Sequence, residues 1–288
     1  MTPLLEIKNL SKIYPTFKLD NISFTLESGR IMGFLGENGA GKSTTIKLIL
    51  NIIKRDNGLV KIFGKDILTD ELSIKERLGV IFDECCFHNQ LTPRQLITIF
   101  SHIYKNWDTE LYYKYITKFN LSPDLKIGKF SRGMKVKLGL AVALAHKPDI
   151  LILDEATSGL DPVMRDEILE FFMNFVKKPN HAVLMSSHIT EDIDRSSDDI
   201  TVIHKGKLVL TGNYDNIRND MGIILGSDLE TANKIGSEFV ERIRIRKTDC
   251  DILIKNKSKF NQTFPEYTTT PITARDIASF YSIGEILC

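Results

Sequence analysis

Residues 36–44 read Gly-Glu-Asn-Gly-Ala-Gly-Lys-Ser-Thr, which matches G-x-x-x-x-G-K-[ST] at every fixed position. Glycines let such a loop curl until successive amides point at one anion. A helix that begins at the lysine adds its positive end to the same spot. The loop therefore needs a buried strand before it and a helix after it, which commits the chain to an α/β arrangement. The flanks comply. IMGFLG (31–36) is nearly all apolar and ends in glycine, and STTIKLILNII from Ser43 places Ile46, Leu50 and Ile53 on one helical side. This helix is predicted to reach about Ile53 and to stop within KRDNG (54–58). Gly36, Asn38, Gly39, Ala40, Gly41, Lys42, Ser43 and Thr44 are candidate nucleotide-binding residues, with Lys42 on the β- and γ-phosphates and the Ser43 hydroxyl on Mg²⁺.

The rest of the chain keeps an α/β rhythm. Residues 4–28 alternate apolar and polar positions and predict antiparallel strands with one wet face. LVKIFG (59–64), LGVIF (78–82), DILILD (149–154) and AVLMSSH (182–188) read as further strands, and 200–210 as a hairpin turning at Lys205-Gly206-Lys207. Between the strands, Pro93 opens a helix, 109–119 forms a second and 132–146 a third. The expected fold is a mainly parallel sheet covered on both faces, with an antiparallel β part and an inserted helical block at about 85–146. That unit spans 1–212. Residues 213–288 read as a small α+β appendage, with strand-like GIILG and DILIKN and one helical stretch near 229–243.

ILILDE (150–155) sets four apolar residues before two acids. A central strand would deliver Asp154 to the mouth of the site, where ligands of open α/β sheets bind. Asp154 is a candidate for Mg²⁺, and Glu155, one step on, for polarising the water that attacks the γ-phosphate.

Composition narrows the partners. The chain has 288 residues, 38 Lys+Arg against 37 Asp+Glu, and a net charge of +1, so no global field draws it to nucleic acid or anionic lipid. Cys85, Cys86, Cys250 and Cys288 have no usual metal or redox spacing and read as reduced thiols. The opening MTPLLEIKNLSK has no apolar signal core, and no apolar run is long enough to span a bilayer. A channel, if one is served, belongs to another chain.

One string specifies more than a nucleotide site. Phe130-Ser131-Arg132-Gly133-Met134-Lys135 resembles the ABC signature, usually written LSGGQ, with Ser131 and Gly133 in matching positions. Gly159-Leu160-Asp161-Pro162 looks like the D-loop of that family and Ser187-His188 like its H-loop, and Tyr14 falls where the family places an adenine-stacking aromatic. The order and spacing of these motifs fit over residues 4–212, and the SRGMK variant is similar to ATPases of bacterial ABC-2-type exporters of drugs, peptides or bacteriocins. The resemblance implies an ATP- and Mg²⁺-dependent hydrolase at the cytoplasmic face of the membrane. Its partners would be a second ATPase subunit and a transmembrane permease, without nucleic acid. Two copies would stack head to tail, with Ser131, Arg132, Gly133, Met134 and Asp161 of one serving the nucleotide of the other. His188 would bind the γ-phosphate and position water near Glu155.

Three departures from the pattern matter. The family's glutamine after the LGVIF-type strand is Asp83 here, a candidate metal-side acid, followed by Glu84. Arg132 replaces a glycine and can meet phosphate or a neighbouring acid. Met134 lacks the hydrogen bonds of the usual glutamine. The segment after Asp83 (Cys85, Cys86, Phe87, His88, Leu91) falls where the family grips a short helix of its permease. Phe87, Phe100 and Tyr104 are candidates for lining that groove, with ordinary packing between subdomains as the other reading. Two other readings are a non-transport ABC ATPase, such as a cluster-assembly subunit, and a low-turnover nucleotide sensor.

Overall fold

The computed structural model describes residues 3–83 and 86–286. An antiparallel hairpin of β1 (Leu5–Tyr14) and β2 (Phe17–Leu26) precedes β3 (Ile31–Leu35), the phosphate loop and α1 (Lys42–Ile49). β4 (Asn57–Ile62) and β5 (Lys65–Asp66) return beside the hairpin, and α2 (Glu71–Lys75) leads to β6 (Leu78–Ile81). Three helices follow, α3 (Pro93–Ile103), α4 (Thr109–Lys118) and α5 (Arg132–Ala145), before β7 (Ile150–Asp154). Next come α6 (Pro162–Phe175), β8 (Ala182–Ser186), α7 (Thr190–Ser196), β9 (Asp199–His204) and β10 (Lys207–Asn213). The remainder holds α8 (Tyr214–Asp220), β11 (Gly222–Ser227), α9 (Leu229–Ile235), β12 (Val240–Ile245), β13 (Cys250–Ile254), α10 (Lys257–Thr263) and α11 (Ala274–Ile283).

The first ten strands form one sheet, ordered β5-β4-β1-β2-β10-β9-β3-β8-β7-β6. Its β9-β3-β8-β7-β6 half is parallel and its β5-β4-β1-β2 half antiparallel. The parallel strands are apolar on both faces, as expected for strands covered by helices on each side. Leu151, Leu153, Val183 and Met185 join one core cluster, while Ile150, Ile152, Ala182 and Leu184 join another. The period of two along each strand sorts them. β9 and β10 join through Lys205 and Gly206, both at positive φ (45° and 77°), at the predicted turn.

Two predicted elements end differently. α1 stops at Ile49 rather than near Ile53, because Asn51 turns into the left-handed region (φ 54°) and closes the helix. The helix predicted over 229–243 is only α9. Gly236 at φ 79° terminates it, and the alternating Arg242-Ile243-Arg244-Ile245 pairs as β12 in a second sheet, β11-β13-β12. This region also holds α8, α10 and α11, which the sequence reading did not separate. Phe239, Ile252 and Phe260 form a small core of their own, but Ile223, Leu253, Ile277 and Phe280 pack into the large cluster of the main sheet. No helix among the described residues is long and apolar enough to cross a membrane.

Candidate functional site

The phosphate loop opens on a cavity of about 410 Å³ at the ends of β3 and β7. Asn38, Gly39, Gly41, Lys42, Ser43 and Thr44 line it together with Asp83, Asp154, Glu155 and His188. Gly39 and Gly41 take φ of 80° and 114°, where a side chain is strained. At Gly41 an added Cβ would also strike Leu19 and Phe17. Gly36 has no room either, since a Cβ there would collide with the Ile203 carbonyl. Lys42 is only 5% exposed, an unusual degree of burial for lysine, and it is fully engaged. Its Nζ donates to the Gly36 carbonyl (2.7 Å) and lies 3.4 Å from Glu155 Oε1.

Asp154 is buried at the end of β7, and Ser186 on neighbouring β8 fixes it: Oγ donates to Asp154 Oδ1 at 2.7 Å. The same Oγ accepts the Glu155 amide at 3.1 Å. Glu155 then leaves the strand at φ 55°. Its Oε2 accepts the His188 amide (3.2 Å) and touches His188 Nδ1, so the carboxylate sits between an ammonium and an imidazole. One cavity thus combines a phosphate cradle, a buried carboxylate and a second carboxylate held on both sides.

The oxygens of Ser43, Asp83 and Asp154 in one cavity suit a hard divalent cation. Among the described residues no group of three or more His, Cys, Asp or Glu side chains could hold an ion unaided. That combination fits Mg²⁺, which binds through one or two carboxylates plus substrate phosphates.

The signature segment lies beside this cavity without lining it. Ser131 caps α5, accepting the Met134 amide at 3.2 Å, and Asp161 caps α6, accepting the Met164 amide at 3.0 Å. Gly133 is buried where α5 meets α6, and a Cβ there would overlap the Met164 sulfur. Met134 packs against the main core. The Arg132 guanidinium pairs with Asp83 and lies over Gly159, so the two acid-base departures meet in space.

Phe87, Phe100 and Tyr104 line a second cavity of about 240 Å³ between β6 and α5, with Val136 and His146 opposite. Phe100 stands edge-on to Phe87 (5.8 Å) and stacks on Tyr104 (6.1 Å). Tyr104 in turn stacks on His146 at 3.9 Å. His146 Nε2 contacts the Leu78 carbonyl at 3.0 Å, and burial pushes the imidazole pKa down. Glu84, Cys85 and Cys288 lie outside the described residues. Cys250 is a buried thiol whose pKa burial raises.

Tyr14 ends β1 with its ring 6.5 Å from Phe17, and it is Phe17 that lines the phosphate cavity. Glu37 and Ser158 also line it, and Ser186 orients its acids. None of these four was singled out in the sequence. α11 supplies another unexpected wall. Ser279, Ser282 and Ile283 face Gly36, Glu37, Asn38 and His188 across a cavity of about 420 Å³.

Known proteins share this sequence pattern and fold. Residues 19–158 match the family described as ABC transporter. The bacitracin transport ATP-binding protein BcrA of Bacillus licheniformis is 35% identical over 237 residues, covering 81% of this chain and 78% of that protein. Its counterpart in Enterococcus faecalis is 31% identical over 289 residues, covering 99% and 88%. A solved ATP-binding subunit of an ABC transporter superposes with a TM-score of 0.69 at 28% identity, covering 75% of this chain and 92% of that one.

Proposed function

The chain belongs to the ATP-binding subunits of ABC transporters, and from that membership we propose that it hydrolyses MgATP at the Lys42, Glu155 and His188 cluster to drive export through a separate permease. The observation that carries the site assignment is the placement of Glu155, 3.4 Å from Lys42 and bonded to His188 in the cavity of the phosphate loop.

The loop amides and Lys42 bind the β- and γ-phosphates and spread their charge. Glu155 accepts a proton from water as the water oxygen bonds to the γ-phosphorus and the bond to the ADP oxygen breaks. His188 keeps the carboxylate aimed, and Ser186 keeps Asp154 and the Glu155 backbone in register. Mg²⁺, when bound, neutralises charge developing on the phosphates, and Ser43, Asp154 and Asp83 would hold it.

Ser131, Gly133 and Asp161 would serve a second copy's nucleotide. Their position outside the cavity of their own chain supports this reading, as does the N-terminus of α5 that Ser131 and Gly133 help to form. The permease would dock at the Phe87, Phe100 and Tyr104 cavity and hold the subunit at the cytoplasmic face of the membrane. Bacitracin is the cargo named for the relatives, and a drug or peptide of that kind is the cargo proposed here.

Replacing Glu155 tests the scheme. Glu155→Gln is expected to lower turnover by roughly 10²- to 10⁴-fold, keep ATP binding and accumulate an ATP-bound dimer. Normal turnover in that variant removes Glu155 from the role of base.

A further inference from the structure

Asp83 follows β6 and lies on the wall between two cavities. It lines the phosphate cavity with Ser43 and Asp154, and it lines the aromatic cavity with Arg132. In this structure its Oδ1 is taken by Arg132 Nη2, and both side chains are about half exposed. Arg132 is the first residue of α5, next to the Ser131 cap, and its guanidinium also covers Gly159. An added Cβ at Gly159 would sit 3.1 Å from Arg132 Nη1 and 3.2 Å from its Cδ. One cation therefore bridges the loop after β6, the start of α5 and the loop after Glu155.

We propose that Arg132 is a positioning residue for metal loading: Asp83 exchanges Arg132 for the divalent cation that enters with ATP, and this exchange releases α5 from the loop after β6. The inference rests on the nucleotide site assigned above. The same carboxylate cannot give its full charge to a guanidinium on one side and to a metal on the other. Linkage makes the effect reciprocal, so Arg132 weakens metal binding by the factor by which metal weakens the Asp83–Arg132 pair. A half-exposed ion pair sets that factor at roughly two- to fivefold. The residue after the strand thereby reports metal occupancy to the signature helix.

The test measures Mn²⁺ binding to the full chain with a non-hydrolysable ATP analogue, by the electron paramagnetic resonance of free Mn²⁺. Arg132→Ala and Arg132→Gln are each expected to lower the half-saturating Mn²⁺ concentration about two- to fivefold. Asp83→Ala should raise it, and Arg132→Ala added to Asp83→Ala should change nothing further. Hydrogen exchange of the first-turn amides of α5 should rise on Mn²⁺ addition in the parent chain and stand already raised in Arg132→Gln. Unchanged Mn²⁺ affinity in both Arg132 variants overturns the exchange. So does an equal tightening in the Asp83→Ala background, which marks general charge repulsion. A parent chain that binds no Mn²⁺ with the analogue overturns the nucleotide site itself, and the exchange with it.

Discussion

Ser186 does two things with one hydroxyl, donating to Asp154 and accepting the Glu155 amide, at 2.7 and 3.1 Å. Ser186→Ala should therefore lower turnover and raise the Mg²⁺ requirement roughly 10- to 100-fold, the usual range for a residue that orients a metal-side ligand. A steady-state ATPase assay across Mg²⁺ concentrations reads both. Stability should fall as well, by roughly 1–3 kcal/mol, since the buried Asp154 carboxylate loses its hydroxyl donor. Lys42, Asp154 and Glu155 were legible because each belongs to a contiguous motif whose spacing is itself the chemistry. Ser186 was not, because within AVLMSSH it is one more residue of a buried strand until β7 is placed beside β8. Phe17 at the cavity was not singled out for a related reason. Tyr14 and Phe17 flank one turn, and β1 has register shifts between Ile7 and Leu10 and between Leu10 and Lys12. Each shift changes which face a side chain takes, so counting along the strand cannot say which ring turns inward. The Asp83–Arg132 pair spans 49 positions and left no local trace.

Among the elements, those with strong periodicity or chemical punctuation were readable. α3 begins at Pro93 behind a Thr92–Gln95 capping box, and α5 begins after the Ser131 cap. β12 was misread because its apolar spacing suits a helix until Gly236 breaks the chain's course. The α5 element also carries a pH dependence through the residue that closes it. His146 is held neutral by burial against Tyr104, and its folded pKa lies below its ordinary 6.5. The unfolded chain then binds the proton more readily, so stability rises with pH through this window. His146 contributes fully above about pH 6.5, and its contribution is lost as pH falls below that value. Urea midpoints at pH 7.5 and 5.5 should differ more in the parent chain than in His146→Phe. Equal differences would remove His146 from this role.

At the scale of the whole molecule, the residues after β10 are bound into the catalytic body. Asp194 on α7 accepts the Ala274 amide at 3.0 Å and pairs with the Tyr214 hydroxyl, which anchors α11 to the helix that follows His188. Phe280 is fully buried in the main cluster. Phe280→Ala should thus cost about 3–5 kcal/mol and lower the urea midpoint of the entire chain. The single tryptophan, Trp107, lies in the helical insert, far from Phe280 in sequence, and can report it. A midpoint at Trp107 that stays put while only the far end melts would show two independent units instead. The wall that Ser279, Ser282 and Ile283 raise beside Gly36 and His188 has a consequence in time. Synthesis runs from the first residue to the last, so a ribosome finishes the phosphate loop long before it makes that wall. A newborn chain can curl its loop early, yet the side of that loop at Gly36–Asn38 and His188 gains its wall only when α11 emerges and docks.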